Sequence, residues 1–232
     1  MGATIFWDFD GTLAHRPSMF SRSLVAVFDE REPGHGITAD SLATWLHAGF
    51  PWHEPETDHR FLATPEAWWA HIYRLFEAAF ERNGVPPGKA ARYAREARKH
   101  LVDAKYYSLY PDALDALKYF RGVGYANVIL SNHLPELPDI CEALGLMEHV
   151  EICISSANVG FEKPNPEFFR IALEMAGKPA VSWMVGDNLG ADVRGAEACG
   201  MKAVLVRRRP DEPVAYFSPA LAGLADIIPP NR

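Results

Sequence analysis

Asp8 and Asp10 stand two residues apart in Trp7-Asp8-Phe9-Asp10-Gly11-Thr12-Leu13, directly after the apolar run Ala3-Thr4-Ile5-Phe6-Trp7. That run reads as a buried strand. Two carboxylates this close repel each other, and the repulsion pushes one pKa up. A divalent cation relieves it and puts both acids to use. Gly11 lets the chain turn sharply where the strand ends. Polar groups recur at the ends of later apolar runs: Ser131-Asn132, Lys163 in Gly160-Phe161-Glu162-Lys163-Pro164, and Gly186-Asp187-Asn188 with Asp192 five residues beyond Asp187. Singly, these have plain explanations. Ser131-Asn132 caps a turn, Lys163-Pro164 is a surface loop, and Asp192 caps a helix. Together, the acids, one lysine and one hydroxyl are the outfit for Mg²⁺ and a phosphate, because hard oxygen ligands suit that ion.

The elements that must position these groups form a regular pattern after residue 108. Helices are predicted over 111–122, 137–144, 165–176 and 192–199, and strands over 126–130, 151–155, 181–185 and 203–206, the last strand. Strands separated by helices imply a parallel sheet with right-handed crossovers. Between the first strand and this alternation lies a helical block, with helices expected over 18–29, 39–48, 65–83 and 88–107 and a loop over 49–63. The third is the clearest: Trp68, Ile72, Leu75, Phe76, Ala79 and Phe80 recur at spacings of three and four. Thr64-Pro65-Glu66 supplies its start and Asn83-Gly84 its stop. The block is too long for a strand-to-helix connection. It reads as an inserted domain that leaves from the carboxyl edge of the sheet, where ligands bind in open α/β folds, and so covers the site.

Composition bounds the function. The chain has 232 residues, 48% of them hydrophobic, and a net charge of −7. This charge argues against nucleic acid as the main partner, which needs a basic face. Cys141, Cys153 and Cys199 form no C-x-x-C pair and read as free thiols in a reducing cytosol. No signal-peptide pattern opens the chain and no apolar run approaches a membrane span, so a soluble cytoplasmic protein is expected. His47, His53 and His59 read as surface residues, the Arg92–Lys99 basic run as a solvated face, and Trp69 as cap surface or interface.

In order and wording the four polar segments resemble the motifs of the haloacid dehalogenase superfamily of aspartate-nucleophile phosphohydrolases. Asp8-Phe9-Asp10-Gly11-Thr12-Leu13 is similar to the first motif, Ser131-Asn132 to the second, Lys163-Pro164 to the third and Gly186-Asp187-Asn188-Leu189-Gly190-Ala191-Asp192 to the fourth. The resemblance implies an α/β fold, a Rossmann-like doubly wound parallel sheet with an inserted all-helical cap of the small type. The core would be residues 1–14 and 108–232, and the cap residues 15–107. It implies a Mg²⁺-dependent phosphatase for a small phosphorylated metabolite, acting through an aspartyl-phosphate as a monomer or homodimer. Asp8 would be the nucleophile and Asp10 the general acid and base. Ser131, Asn132, Gly11 and Lys163 would hold the phosphate, with Lys163 balancing charge on Asp8. Asp8, the Asp10 carbonyl and Asp187 would hold the metal, with Asn188 and Asp192 behind them. Alternatives are a phosphomutase of the β-phosphoglucomutase type, a 2-haloacid dehalogenase and a catalytically silent binding protein. Dehalogenases of this family lack an acid at the position of Asp10, and a silent relative has no need of Asp8, Asp10, Lys163 and Asp187 together. Cap residues would set the substrate, with Arg16, His53, Arg60, Arg74 and Tyr107 as candidates.

Overall fold

The computed structural model describes residues 2–231. Strand β1 (Ala3–Trp7) is buried along its whole length and lies in the middle of a six-stranded parallel sheet. On one side it pairs with β4 (Tyr125–Ser131), which pairs with β5 (Ile152–Ser155). On the other it pairs with β6 (Val181–Gly186), followed by β7 (Lys202–Val206) and β8 (Phe217–Ser218). The chain therefore builds outward from β1 through β4 and β5, then returns to the opposite side of β1. That reversal is the switch point at which open α/β sheets bind ligands.

Both faces of the sheet are covered, which is why its strands read as continuous apolar runs instead of alternating ones. Ile5, Trp7, Ile129, Val185 and Val204 belong to one apolar cluster; Phe6, Val128, Leu130, Met184 and Leu205 belong to the other. One polar side chain sits inside this packing. Asn127 is fully buried on β4, but it accepts from Trp7 Nε1 at 3.0 Å and donates to the Leu117 and His149 carbonyls at 2.9 Å each. A buried amide with its partners in place costs little.

The segment between β1 and the rest of the sheet is helical. It hangs from a two-residue antiparallel pair, β2 (Ala14–His15) with β3 (Ser108–Leu109). Its helices are α1 (Met19–Arg31), α2 (Ala39–Ala43), α3 (Pro65–Arg82), α4 (Pro87–Glu96) and α5 (Arg98–Leu101). In α3, Thr64 accepts from the Ala67 amide, and Trp68, Ile72, Phe76, Ala79 and Phe80 are buried, as their spacing predicts.

The single helix expected over 88–107 is instead broken. The Arg16 guanidinium takes the carbonyls of His100 and Leu101, both at 2.8 Å, and the Tyr107 hydroxyl also donates to Leu101. Carbonyls claimed in this way close a helix. Asp103 then caps a separate turn, Ala104–Tyr106. Helix α2 is shorter than the span 39–48, and the loop over 49–63 contains single turns at Pro51–His53 and Arg60–Leu62.

In the second half, α6 (Ala113–Gly122), α7 (Leu137–Ala143) and α8 (Pro166–Met175) fall within their expected spans. The helix expected over 192–199 begins earlier, as a π-helical turn Leu189–Arg194 running into α9 (Gly195–Ala198). The side chain of Asn188 sets that start by accepting from the Gly190 and Ala191 amides at 3.0 Å. The sheet also does not end at β7. β8 is too short to show a period in the sequence, and it adds a further parallel edge.

Candidate active site

The parallel register brings the polar groups to one edge. Trp7 lies opposite both Ile129 and Val185, so Asp8 and Asp187 emerge just past the carboxyl ends of β1 and β6, beside Ser131, the last residue of β4. The Asp8 amide is held by the Val185 carbonyl at 2.9 Å. Its carboxylate, almost fully buried, receives the Ser131 hydroxyl at 2.9 Å and Lys163 Nζ at 2.7 Å, both on Oδ1. The Thr12 hydroxyl reaches Oδ2 at 3.4 Å.

Lys163 enters from the loop after β5. Asn132 clasps that loop, accepting from the Lys163 amide at 2.7 Å and donating to its carbonyl at 2.9 Å. The ammonium also donates to Asp192 Oδ1 at 2.6 Å and to the Leu130 carbonyl at 2.9 Å. Burial pulls the lysine's pKa down, but Asp192 and Asp8 outweigh it, so the group is held above its ordinary value and stays charged.

Asp187 completes the acidic set. Burial first, then the charge of Asp8, push its pKa up to about 6, against the pull of Arg208 and Lys163. Oxygens of Asp8, Asp187 and Asp192 lie within 4.8 Å of one another. Asp192 is committed elsewhere, however, with Oδ1 on Lys163 and Oδ2 on the Asn188 amide at 2.9 Å. Asp8 and Asp187 therefore remain the carboxylates open to a cation, and their oxygens are the hard donors that Mg²⁺ prefers. Gly11 fits this reading. It adopts φ +85°, and a Cβ there would fall 2.4 Å from Asp187 Oδ2, so only glycine leaves room for the carboxylate.

Two adjoining cavities open at this edge. One of about 360 Å³ is lined by Asp8, Asp10, Ser131, Lys163 and Asp187, with Trp52 contributed by the helical segment. The other, about 570 Å³, runs from Asp10, Gly11 and Asp187 past His15, Phe20 and Tyr110.

A family model described as haloacid dehalogenase-like hydrolase matches residues 3–200. The chain belongs to that family. This haloacid dehalogenase-like hydrolase is 38% identical over 153 residues to the phosphoserine phosphatase of Thermus thermophilus, a match covering 63% of this chain and only 60% of that one. It is 33% identical over 213 residues to the haloacid dehalogenase-like hydrolase domain-containing protein 3 of Mus musculus, covering 86% of this chain and 80% of that one. Its fold is that of the HAD-hydrolase YfnB from Bacillus subtilis, at TM-score 0.72 and 19% identity over 97% of this chain and 98% of that one.

In this hydrolase the structure brings together Asp8, Asp10, Gly11, Ser131, Asn132, Lys163, Asp187, Asn188 and Asp192. Of the residues suggested for substrate selection, Arg16 lines the larger cavity, but its guanidinium is spent on the His100 and Leu101 carbonyls. His53, Arg60, Arg74 and Tyr107 line neither cavity.

Two other expectations are corrected. His59 is buried and bonds Glu162 at 2.8 Å, beside Lys163. Arg98 reaches Glu136 with Nε at 3.0 Å, so the basic run is not wholly solvated. Trp69, expected at the cap surface or an interface, is buried off the surface and donates to the same Glu136 at 2.9 Å, where α3 meets the segment after β4.

Three residues escaped the sequence reading. The fully buried His133 places Nε2 3.3 Å from Asp10 Oδ2. Arg207 and Arg208 follow β7. Arg207 donates to the Thr12 carbonyl at 2.9 Å and to Asp112 Oδ1 at 2.6 Å, and its guanidinium stacks 3.8 Å from the Tyr110 ring. It thereby pins the loop that carries Asp8 and Asp10. The only signal for the pair was the run Arg207-Arg208-Arg209 at a strand end.

Proposed function

We propose that this hydrolase is a Mg²⁺-dependent phosphatase that cleaves a small phosphorylated metabolite in the cytoplasm through an aspartyl-phosphate on Asp8. The observation that carries the reading is the asymmetry of Asp8. Oδ1 is tied by Lys163 and Ser131, while Oδ2 has only the long contact from Thr12, and Asp8 lines the cavity. An oriented carboxylate with one oxygen uncommitted suits a nucleophile.

Asp8 attacks phosphorus, and the alcohol leaves as Asp10 gives it a proton. Asp10 has the half-exposed position that such an exchange needs, its side chain being 39% exposed. In the second step the same carboxylate takes a proton from the water that splits the acyl phosphate. Lys163 and Ser131 donate to phosphoryl oxygens as charge develops there, and Asn132 keeps the lysine loop in register. Asp8, Asp187 and the Asp10 main-chain carbonyl would hold Mg²⁺, which when bound lets an anionic nucleophile meet an anionic ester. Asp192 and Asn188 act from behind by fixing Lys163 and the π-helical turn. Residues 1–14 and 108–232 form the catalytic core in this reading, and residues 15–107 are the cap that shields the site from water. The family membership and the phosphatase relative support a phosphate ester as substrate.

The test is phosphate release from p-nitrophenyl phosphate and a panel of sugar, nucleotide and carboxylic-acid phosphates, with Mg²⁺ and with EDTA. Wild type should release phosphate only with the metal, and Asp8→Asn should lose at least about 10³-fold in rate. Release that persists in Asp8→Asn, or none from any ester with Mg²⁺ present, overturns the reading.

A further inference from the structure

Four lysine and arginine side chains line the two cavities: Lys163 in one, Arg16 and Arg207 in the other, and Arg208 in both. Lys163 is committed to Asp8 and Asp192. Arg16 is committed to backbone carbonyls and the Ser23 hydroxyl, and Arg207 to Thr12 and Asp112. Arg208 differs. Its Nε lies 2.7 Å from Asp187 Oδ2, its side chain is 73% exposed, and among the described residues no other acid or carbonyl engages its two Nη atoms. Arg208 thus stands where both cavities meet, lining the one that holds Asp8 and the one that runs beyond Asp10.

Only the arginine end of this pair is open to solvent, and Asp187 is buried. A cation drawn to Asp187 also competes with Arg208 for that carboxylate. The phosphoryl group must sit at Asp8 and the leaving oxygen at Asp10. The alcohol portion of the ester then extends into the larger cavity, past Asp10, where Arg208 is the uncommitted arginine. A planar fork with two free donors matches a carboxylate or a phosphate in bidentate fashion.

We propose that Arg208 is a specificity-determining residue that pairs with an anion, a carboxylate or a second phosphate, on the alcohol portion of the substrate. This rests on the phosphomonoesterase reading above.

Phosphonates that cannot be hydrolysed test it by binding alone. Calorimetry with Mg²⁺ present compares propylphosphonate, 3-phosphonopropionate and ethane-1,2-bisphosphonate on wild type, Arg208→Gln and Arg208→Lys. One of the two dianion-plus-anion ligands should bind wild type on the order of tenfold more tightly than propylphosphonate. That margin should vanish in Arg208→Gln and be partly kept in Arg208→Lys. Which ligand carries the margin distinguishes carboxylate from phosphate.

Equal binding of all three by wild type overturns the proposal while leaving the phosphatase reading intact. So does an equal loss for all three in Arg208→Gln, which would make the arginine only a counter-ion to Asp187. If no phosphonate binds and no ester is hydrolysed, both readings fall together.

Discussion

Gly11 shows how much of this site depends on single atoms. Its φ of +85° and the 2.4 Å gap between a notional Cβ and Asp187 Oδ2 make two separate demands, one on the backbone and one on space. Gly11→Ala should therefore shift Asp187 away from Asp8. We expect Mg²⁺ affinity to fall and turnover to drop by roughly 10²-fold, the usual result of misplacing a reacting group by about 1 Å. Metal titration by calorimetry beside phosphate release would check this, and an Ala variant with full metal affinity would show that the gap is not needed. At this scale the sequence was informative wherever residue type and position coincide. Asp8, Asp10, Ser131 and Asp187 each stand at or just past the end of an apolar run, and Lys163 in the loop after another, which a single sequence displays. His133 does not announce itself, since its place under Asp10 comes from the turn after β4. His59 misled for the opposite reason: loop-like neighbours suggested a surface, and only the docking against Glu162 buries it.

Elements join the helical segment to the sheet through few polar ties, and Glu136 is one of them. It receives Trp69 Nε1 from α3 at 2.9 Å and Arg98 Nε from α5 at 3.0 Å, and the Arg98 guanidinium lies 5.1 Å from the Trp69 ring. Glu136→Ala leaves a buried indole N–H without a partner and frees the arginine. The loss should be about 1–3 kcal/mol of stability. If α3 and α5 hinge on this contact, KM should also change while kcat holds. Denaturant unfolding combined with steady-state kinetics separates the two effects. Helix periodicity made α3 legible almost to its last residue. It failed between 88 and 107 because the interruption is imposed by Arg16, some 85 residues away in sequence from the Leu101 carbonyl it takes. No local pattern can report such a partner. The same holds for the start of the π-helical turn, which Asn188 sets through two backbone amides.

At the scale of the whole molecule the Arg207–Asp112 pair links β7, the first-motif loop, α6 and, through the Leu221 amide at 2.8 Å, the C-terminal segment. Burial pushes the Asp112 carboxyl up, but the Arg207 guanidinium and the Leu221 amide outweigh it, and the net shift is downward. A carboxyl held low in the folded chain takes up its proton at lower pH than in the unfolded chain. Its contribution to stability is therefore full above its unfolded pKa of about 4, and is lost as pH falls through the folded value. Thermal melts of wild type and Asp112→Asn should differ at neutral pH and converge as the medium is acidified below about pH 4. A constant gap across that range would mean that the pair acts through packing alone.

The central place of β1 has a consequence for how the chain is made. β1 leaves the ribosome before both of its neighbours, β4 and β6, whose Tyr125 and Val181 face Ala3. The strand that carries Asp8 must wait, unpaired on its β6 edge, until the chain as far as β6 has been translated. Only after Gly186 has emerged can both of its edges be covered. In the interval the helices after β2, being local structures, can form without it, whereas the parallel pairs cannot. A nascent chain arrested before β6 would expose one edge of a five-residue apolar strand, a ready template for pairing with other chains. The strand that organises the site is thus also one whose open edge a chaperone could shield during synthesis.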